Sequence, residues 1–165
     1  MIDDGGTEAT SHVRAATGLL LATGAFLASL WLLVTGSPLL LLTVSERMGL
    51  PLGTPVTWMG MVALVLMVRF GFAGLRSPVS RADRVYRSLW RLSLALALLW
   101  PLAGYGLAGN WAFMFSAGEG FRGGQVAMRL FWFNSVAVVV LPLTLALTRL
   151  VHLAVSRFRG SRKTH

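Results

Sequence analysis

Cysteine is absent from this 165-residue chain. That excludes structural disulfides, thiolate metal sites and the dithiol relay that membrane disulfide-generating enzymes use. Charge is scarce as well: 13% of residues are charged, about half of the roughly 25% carried by an ordinary soluble domain. Acids are the scarcest of all. The six are Asp3, Asp4, Glu8, Glu46, Asp83 and Glu119, and none falls inside a long apolar run. A proton- or cation-coupled carrier keeps an acid within its helix bundle, and intramembrane aspartyl chemistry needs two. A self-sufficient coupled carrier is therefore not expected. Histidine is equally sparse, with His12 and His165 in polar tails and only His152 near an apolar run. A membrane haem held by two imidazoles needs a pair on facing helices. Ligation by His152 and a methionine such as Met59, Met61, Met67, Met114 or Met128 is arithmetically open, but methionine on an apolar helix is usually packing material. No Ser-His-Asp set and no metal-ligand cluster are assembled. The glycine-rich stretch Gly118–Gly124 lacks the strand context and Lys-Ser/Thr ending of a phosphate loop. We expect no cofactor, no metal and no catalytic activity.

What the chain has is apolar length. Its mean hydropathy is +0.68. Four windows contain no Asp, Glu, Lys or Arg: Ala15–Ser45, Met48–Val68, Leu92–Gly118 and Leu130–Thr148. Crossing a ~30 Å hydrocarbon core takes about 20 predominantly apolar residues. Four such windows exclude a soluble globular fold, a disordered chain and a DNA-binding module. The net charge of +9 would suggest nucleic acid in a soluble protein. Here the basic residues flank apolar runs, where orientation signals belong, so no nucleic acid is expected.

The reading is an all-α integral membrane bundle of four transmembrane helices. The spans are expected at about 16–36, 54–72, 91–109 and 128–151, after a tail at 1–15. The acidic start of the chain does not suit a cleavable signal peptide, which wants a positive n-region. Gly36-Ser37-Pro38 breaks the first span, and Leu39–Val44 either lies at the outer interface or continues that span. Pro51, Gly53 and Pro55 prepare the second. Pro101 and Pro142 interrupt the third and fourth, tolerable where neighbouring helices satisfy the freed carbonyls. Arginines decide orientation. Arg69, Arg76, Arg81, Arg84, Arg87 and Arg91 border the second connection, and Arg149, Arg157, Arg159, Arg162 and Lys163 follow the fourth span. The other two connections hold only Arg47, and Arg122 with Arg129. The positive-inside rule then puts both termini in the cytoplasm, N-in/C-in. Trp58, Trp111 and Trp132 fall near the outer interface and Trp90 near the inner one, as an aromatic belt does. Fourteen arginines against one lysine suit a GC-rich bacterial genome, so the expected location is a bacterial inner membrane.

The basic connection 73–90 carries a capping-box pattern, Ser80-Arg81-Ala82-Asp83. Arg81, Arg84, Arg87 and Arg91 then recur at helical spacing opposite Val85, Leu89 and Trp90. This describes an amphipathic helix running into the third span, its arginines toward anionic lipid headgroups. Arg149, Arg157 and Arg159, the last two in the basic tail 153–165, have the same expected role. Arg69, at the edge of its span, is expected to snorkel. The fourth span is the most polar. Asn134, Thr144, Thr148 and His152 share roughly one face at 100° per residue, suited to helix–helix hydrogen bonding. Small residues at Gly18/Ala22, Ala25/Ser29 and Gly104/Ala108 have the spacing that permits close helix approach.

Two stretches resemble known families. Pro142–His152, ending Leu147-Thr148-Arg149-Leu150-Val151-His152, resembles the close of the last membrane helix in the haem-b gamma subunit of respiratory nitrate reductases. The paired histidines of that family are missing here, so the resemblance implies a haem-less relative of a cytochrome b anchor. In length, span number and basic inner connection the chain is similar to the small membrane subunit of tripartite (TRAP-type) transporters. That family's Trp–acidic pattern is replaced by Trp58-Met59-Gly60-Met61. The expected function is a non-catalytic accessory or anchoring subunit of a larger membrane complex, transport-related or respiratory, with integral membrane partner subunits. The alternatives are a self-assembling homo-oligomeric channel or exporter, or either of the two families resembled.

Overall fold

The computed structural model describes residues 5–73, 81–112 and 121–161. Four helices account for most of them: α1 Gly5–Val34, α2 Gly53–Gly71, α3 Arg81–Ala108 and α4 Gly124–Ser161. Each contains a stretch long and apolar enough to cross a membrane: Val13–Val34, Gly53–Gly71, Asp83–Ala108 and Gly124–Val155. The chain has the make-up of a multi-pass membrane protein. Two helices run further than their apolar windows. α3 is unbroken from Arg81, so the amphipathic stretch of the second connection and the third span are one helix. α4 continues to Ser161 and includes most of the basic tail. Nothing in either stretch breaks a helix, because arginine, leucine and alanine are all good helix formers. The capping-box Ser80 lies outside the described residues.

The end of α1 is a glycine stop. Gly36 takes φ 59°, its N–H bonds to the Leu33 carbonyl, and the Ser37 N–H bonds to the Leu32 carbonyl. This is the Schellman arrangement that only a residue tolerant of left-handed backbone closes cheaply. Pro38–Leu41 then forms a turn of 3-10 helix. The next residues are not simply interfacial coil. Thr43–Ser45 (β1) pairs antiparallel with Leu50–Pro51 (β2), a small hairpin turning at Glu46–Gly49.

α2 is the central element. It packs against α1 and α3 and, less closely, α4, while α3 packs along α4. The apolar core joins Val65 of α2, Ala97, Trp100 and Ala108 of α3, and Phe131 and Val138 of α4. The Trp100 and Phe131 rings lie 5.5 Å apart in a tilted arrangement. α1 packs extensively on α2 alone, and it does so through small residues. A Cβ on Gly18 would lie 2.8 Å from the Phe70 ring, and one on Gly60 would lie 2.9 Å from Ser29 Cβ. Ala22 and Ser29 are buried in the same seam. This is backbone approach of the kind that small-residue spacing permits.

Tryptophan side chains tie the helices together. The Trp58 indole N–H donates to the Ala97 carbonyl at 3.0 Å, and that of Trp90 donates to the Val65 carbonyl at 3.3 Å. Trp100 donates to Ser135 Oγ at 2.8 Å, and Ser135 in turn donates to the Phe131 carbonyl at 2.8 Å. The N–H groups of Trp58 and Trp90, expected at the interfaces, are therefore turned onto neighbouring helix backbones. Inside an apolar bundle an unsatisfied indole N–H is costly, and a helix carbonyl, with its second lone pair, is a ready acceptor.

Candidate functional site

The buried stripe of α4 is Ala127, Phe131, Ser135, Val138, Pro142 and Leu145. At about 100° per residue, Asn134 and His152 lie some 60° to one side of its centre, and Thr148 and Thr144 lie further round. Thr144, Thr148 and His152 are exposed, and Asn134 is half-buried. The two threonine hydroxyls are satisfied within their own helix. Thr144 donates to the Val140 carbonyl at 2.8 Å, and Thr148 to the Thr144 carbonyl at 2.9 Å. The Asn134 carboxamide makes no hydrogen bond among the described residues. In the middle of the bundle, a hydrogen bond between α3 and α4 is made instead by Ser135, one position round from Asn134. Sequence gave no reason to prefer it, since a serine on an apolar helix ordinarily bonds only its own backbone.

At the arginine-rich end of the bundle the structure assembles a second cluster. Arg149, at 10% side-chain exposure, places a guanidinium nitrogen 3.4 Å from Asp83 Oδ1. Arg87 approaches the other carboxylate oxygen of Asp83 at 3.7 Å. The Arg149 guanidinium also lies 5.4 Å over the Tyr86 ring. A charge-bearing helix end with reduced water access favours such pairing and ring contact. Arg149, expected among the headgroup arginines, is thus turned inward to bridge α4 and α3. Arg84, Arg87 and Arg91 are exposed, Arg87 retaining its ion pair. Of Arg81, Arg157 and Arg159, the side chains lie outside the described residues.

Asp83 is the functional candidate that sequence reasoning left in a connecting segment. Its signal was available: Asp83, Tyr86 and Arg87 fall on one helical face at spacings of three and four. The missing information was that α4 brings Arg149 onto that face. Between α3 and α4, Tyr86, Leu89, Leu145, Thr148, Arg149 and His152 line an open groove of about 340 Å³. Among the described residues no three His, Cys, Asp or Glu side chains converge as metal ligands would. The chemistry on offer is hydrogen bonding and anion attraction. Comparison with family models, curated proteins and solved structures finds no match.

Proposed function

We propose that this chain is a non-catalytic accessory or anchoring subunit of a larger complex in a bacterial inner membrane, inserted with both termini in the cytoplasm. The observation that carries the reading is Asn134. Its carboxamide sits within the apolar length of α4 with no hydrogen bond to another described residue. In hydrocarbon no water is available to satisfy such a group, and polar side chains there turn toward protein or a water-filled cavity. A partner helix supplies that acceptor or donor. Around it the outer surfaces of α1 and α4 expose large apolar side chains, Trp31 and Phe133 among them, which suit either lipid or a partner. The resemblances to TRAP-type small membrane subunits and to cytochrome b anchors name two kinds of complex in which such a subunit serves.

A second reading rests on the same flank. Thr144, Thr148 and His152 are all exposed along one side of α4, and in a closed ring of identical copies this stripe lines a central path, making a channel or exporter. Purification of the full chain in mild detergent followed by mass measurement distinguishes the two. Stoichiometric foreign subunits support the accessory role, and a pure homo-oligomer that conducts ions in liposomes overturns it. A photoreactive side chain at position 134 gives protein adducts in either case. Adducts to lipid alone overturn both readings. Asn134→Leu weakens the association by about 0.6–1.7 kcal/mol, from the average to the largest value for interhelical hydrogen bonds in membranes, without altering insertion.

A further inference from the structure

α1 packs on α2 but not along α3, and at the arginine-rich end this leaves a cavity of about 700 Å³ between α1 and α3, over the last turns of α2. Two guanidinium groups line it, Arg14 from α1 and Arg69 from the last turn of α2. The remaining wall is mainly apolar, with Leu66, Phe70, Ala73 and Trp90. Among the described residues no carboxylate lines the cavity, and Asp83, the acid of the neighbouring helix end, is engaged by Arg87 and Arg149. The Arg69 guanidinium lies 5.4 Å over the Trp90 ring, whose N–H is already given to Val65. Ring and arginine hold one another in place at the cavity wall.

Two like charges facing one low-dielectric cavity repel unless an anion lies between them. A guanidinium presents its donors as a planar fork matched to phosphate oxygens. Apolar walls beneath the charges favour a ligand that is itself amphiphilic. The cavity lies at the ends of the apolar stretches Val13–Val34 and Gly53–Gly71, which in a bilayer meet the headgroup layer, and there the ligand combining a phosphate with hydrocarbon is a phospholipid. We propose that this cavity is a binding site for one anionic phospholipid, its phosphate held between Arg14 and Arg69 and its acyl chains against Leu66 and Phe70. The site is distinct from the Asn134 flank and stands whether or not the chain joins a complex.

The test uses the full chain in mixed micelles containing equal parts of phosphatidylglycerol and phosphatidylcholine, read by native mass spectrometry. The wild-type chain retains one phosphatidylglycerol in preference to phosphatidylcholine. The double variant Arg14→Gln/Arg69→Gln lowers that retention about 30-fold, the product of two basic contacts of about 1 kcal/mol each. Arg47→Gln/Arg129→Gln, at the opposite end of the bundle, leaves it unchanged. Ala73→Trp narrows the cavity with both charges intact and also lowers the retention, which keeps the test decisive if the arginine variant fails to fold. Equal retention of the two lipids overturns the proposal, as does undiminished phosphatidylglycerol on a folded Ala73→Trp chain. Displacement of the lipid by millimolar inorganic phosphate also overturns it, since the cavity is then a site for free anions.

Discussion

Trp58 on α2 donates its indole N–H to the carbonyl of Ala97 on α3, and Ala97 stands four residues before Pro101. Proline has no N–H, so in an α-helix it leaves the carbonyl four residues earlier without its regular donor. The tryptophan of one helix thus supplies the hydrogen bond that the proline of the next one removes. This cross-strut lets a proline stand within a membrane-length helix without leaving an orphaned carbonyl in the apolar interior.

The two residues are therefore coupled. Trp58→Phe strands the Ala97 carbonyl and lowers thermal stability in detergent by about 1–3 kcal/mol, the usual cost of a buried polar group left unpaired. In a Pro101→Ala background the helix provides its own donor, and the same change costs less. Equal costs of Trp58→Phe in the two backgrounds, measured as a double-mutant cycle, would show that the strut carries no such role.

Trp100 and Ser135 make the corresponding link between α3 and α4, fully inside the core. Ser135→Ala keeps the volume nearly constant but leaves the indole N–H without an acceptor, at a cost of about 1–3 kcal/mol. Ser135→Thr retains the hydroxyl and recovers part of that loss where its extra methyl group is accommodated. Unfolding followed by tryptophan fluorescence reads both variants.

The α1–α2 seam depends on the absence of side-chain bulk. Gly60→Ala brings a methyl group against the Ser29 Cβ and costs about 1–3 kcal/mol, as overpacking of a close-packed contact does. Ser29→Gly in the same chain makes room and restores most of the stability. A Gly60→Ala chain as stable as wild type would mean that α1 is free to shift on α2.

The Asp83–Arg149 pair fixes the arginine-rich ends of α3 and α4. Asp83→Asn leaves Arg149 with a neutral partner in a site of 10% exposure and destabilises the chain by about 1–3 kcal/mol. The double variant Asp83→Asn/Arg149→Gln costs less than the two single changes added together. Additive costs in thermal melts would show that the two side chains act independently.

Orientation is tested by reporter fusions. Reporters placed after Arg84 and after Lys163 read cytoplasmic, and those after Gly49 and Gly120 read extracytoplasmic, as the arginine distribution requires. A reporter outside after Arg84 overturns the assignment of both termini.

Membrane-length helices, their number and their approximate positions were legible in the sequence, because apolar length and missing charge are sums along the chain and need no partner. The close approach of α1 to α2 was also foreshadowed by Gly18, Ala22 and Ser29, since only small residues let backbones meet. The ends of the helices were less legible. The helix from Arg81 was announced by the capping-box pattern and the arginine spacing, but the helical tail to Ser161 lies where charge replaces apolar length, and charge marks the edge of the hydrocarbon without marking the end of a helix. The polar partnerships were decided by the tertiary structure alone. Trp58 with Ala97, Trp100 with Ser135 and Asp83 with Arg149 each depend on how far one helix is rotated and slid against another. In a soluble protein, hydrophobicity on one face reports that rotation. In a bilayer the lipid is as apolar as the core, so an apolar helix carries little record of which side faces protein. The rotation is set by volume, by small residues and by the need of each buried N–H and carbonyl for a partner.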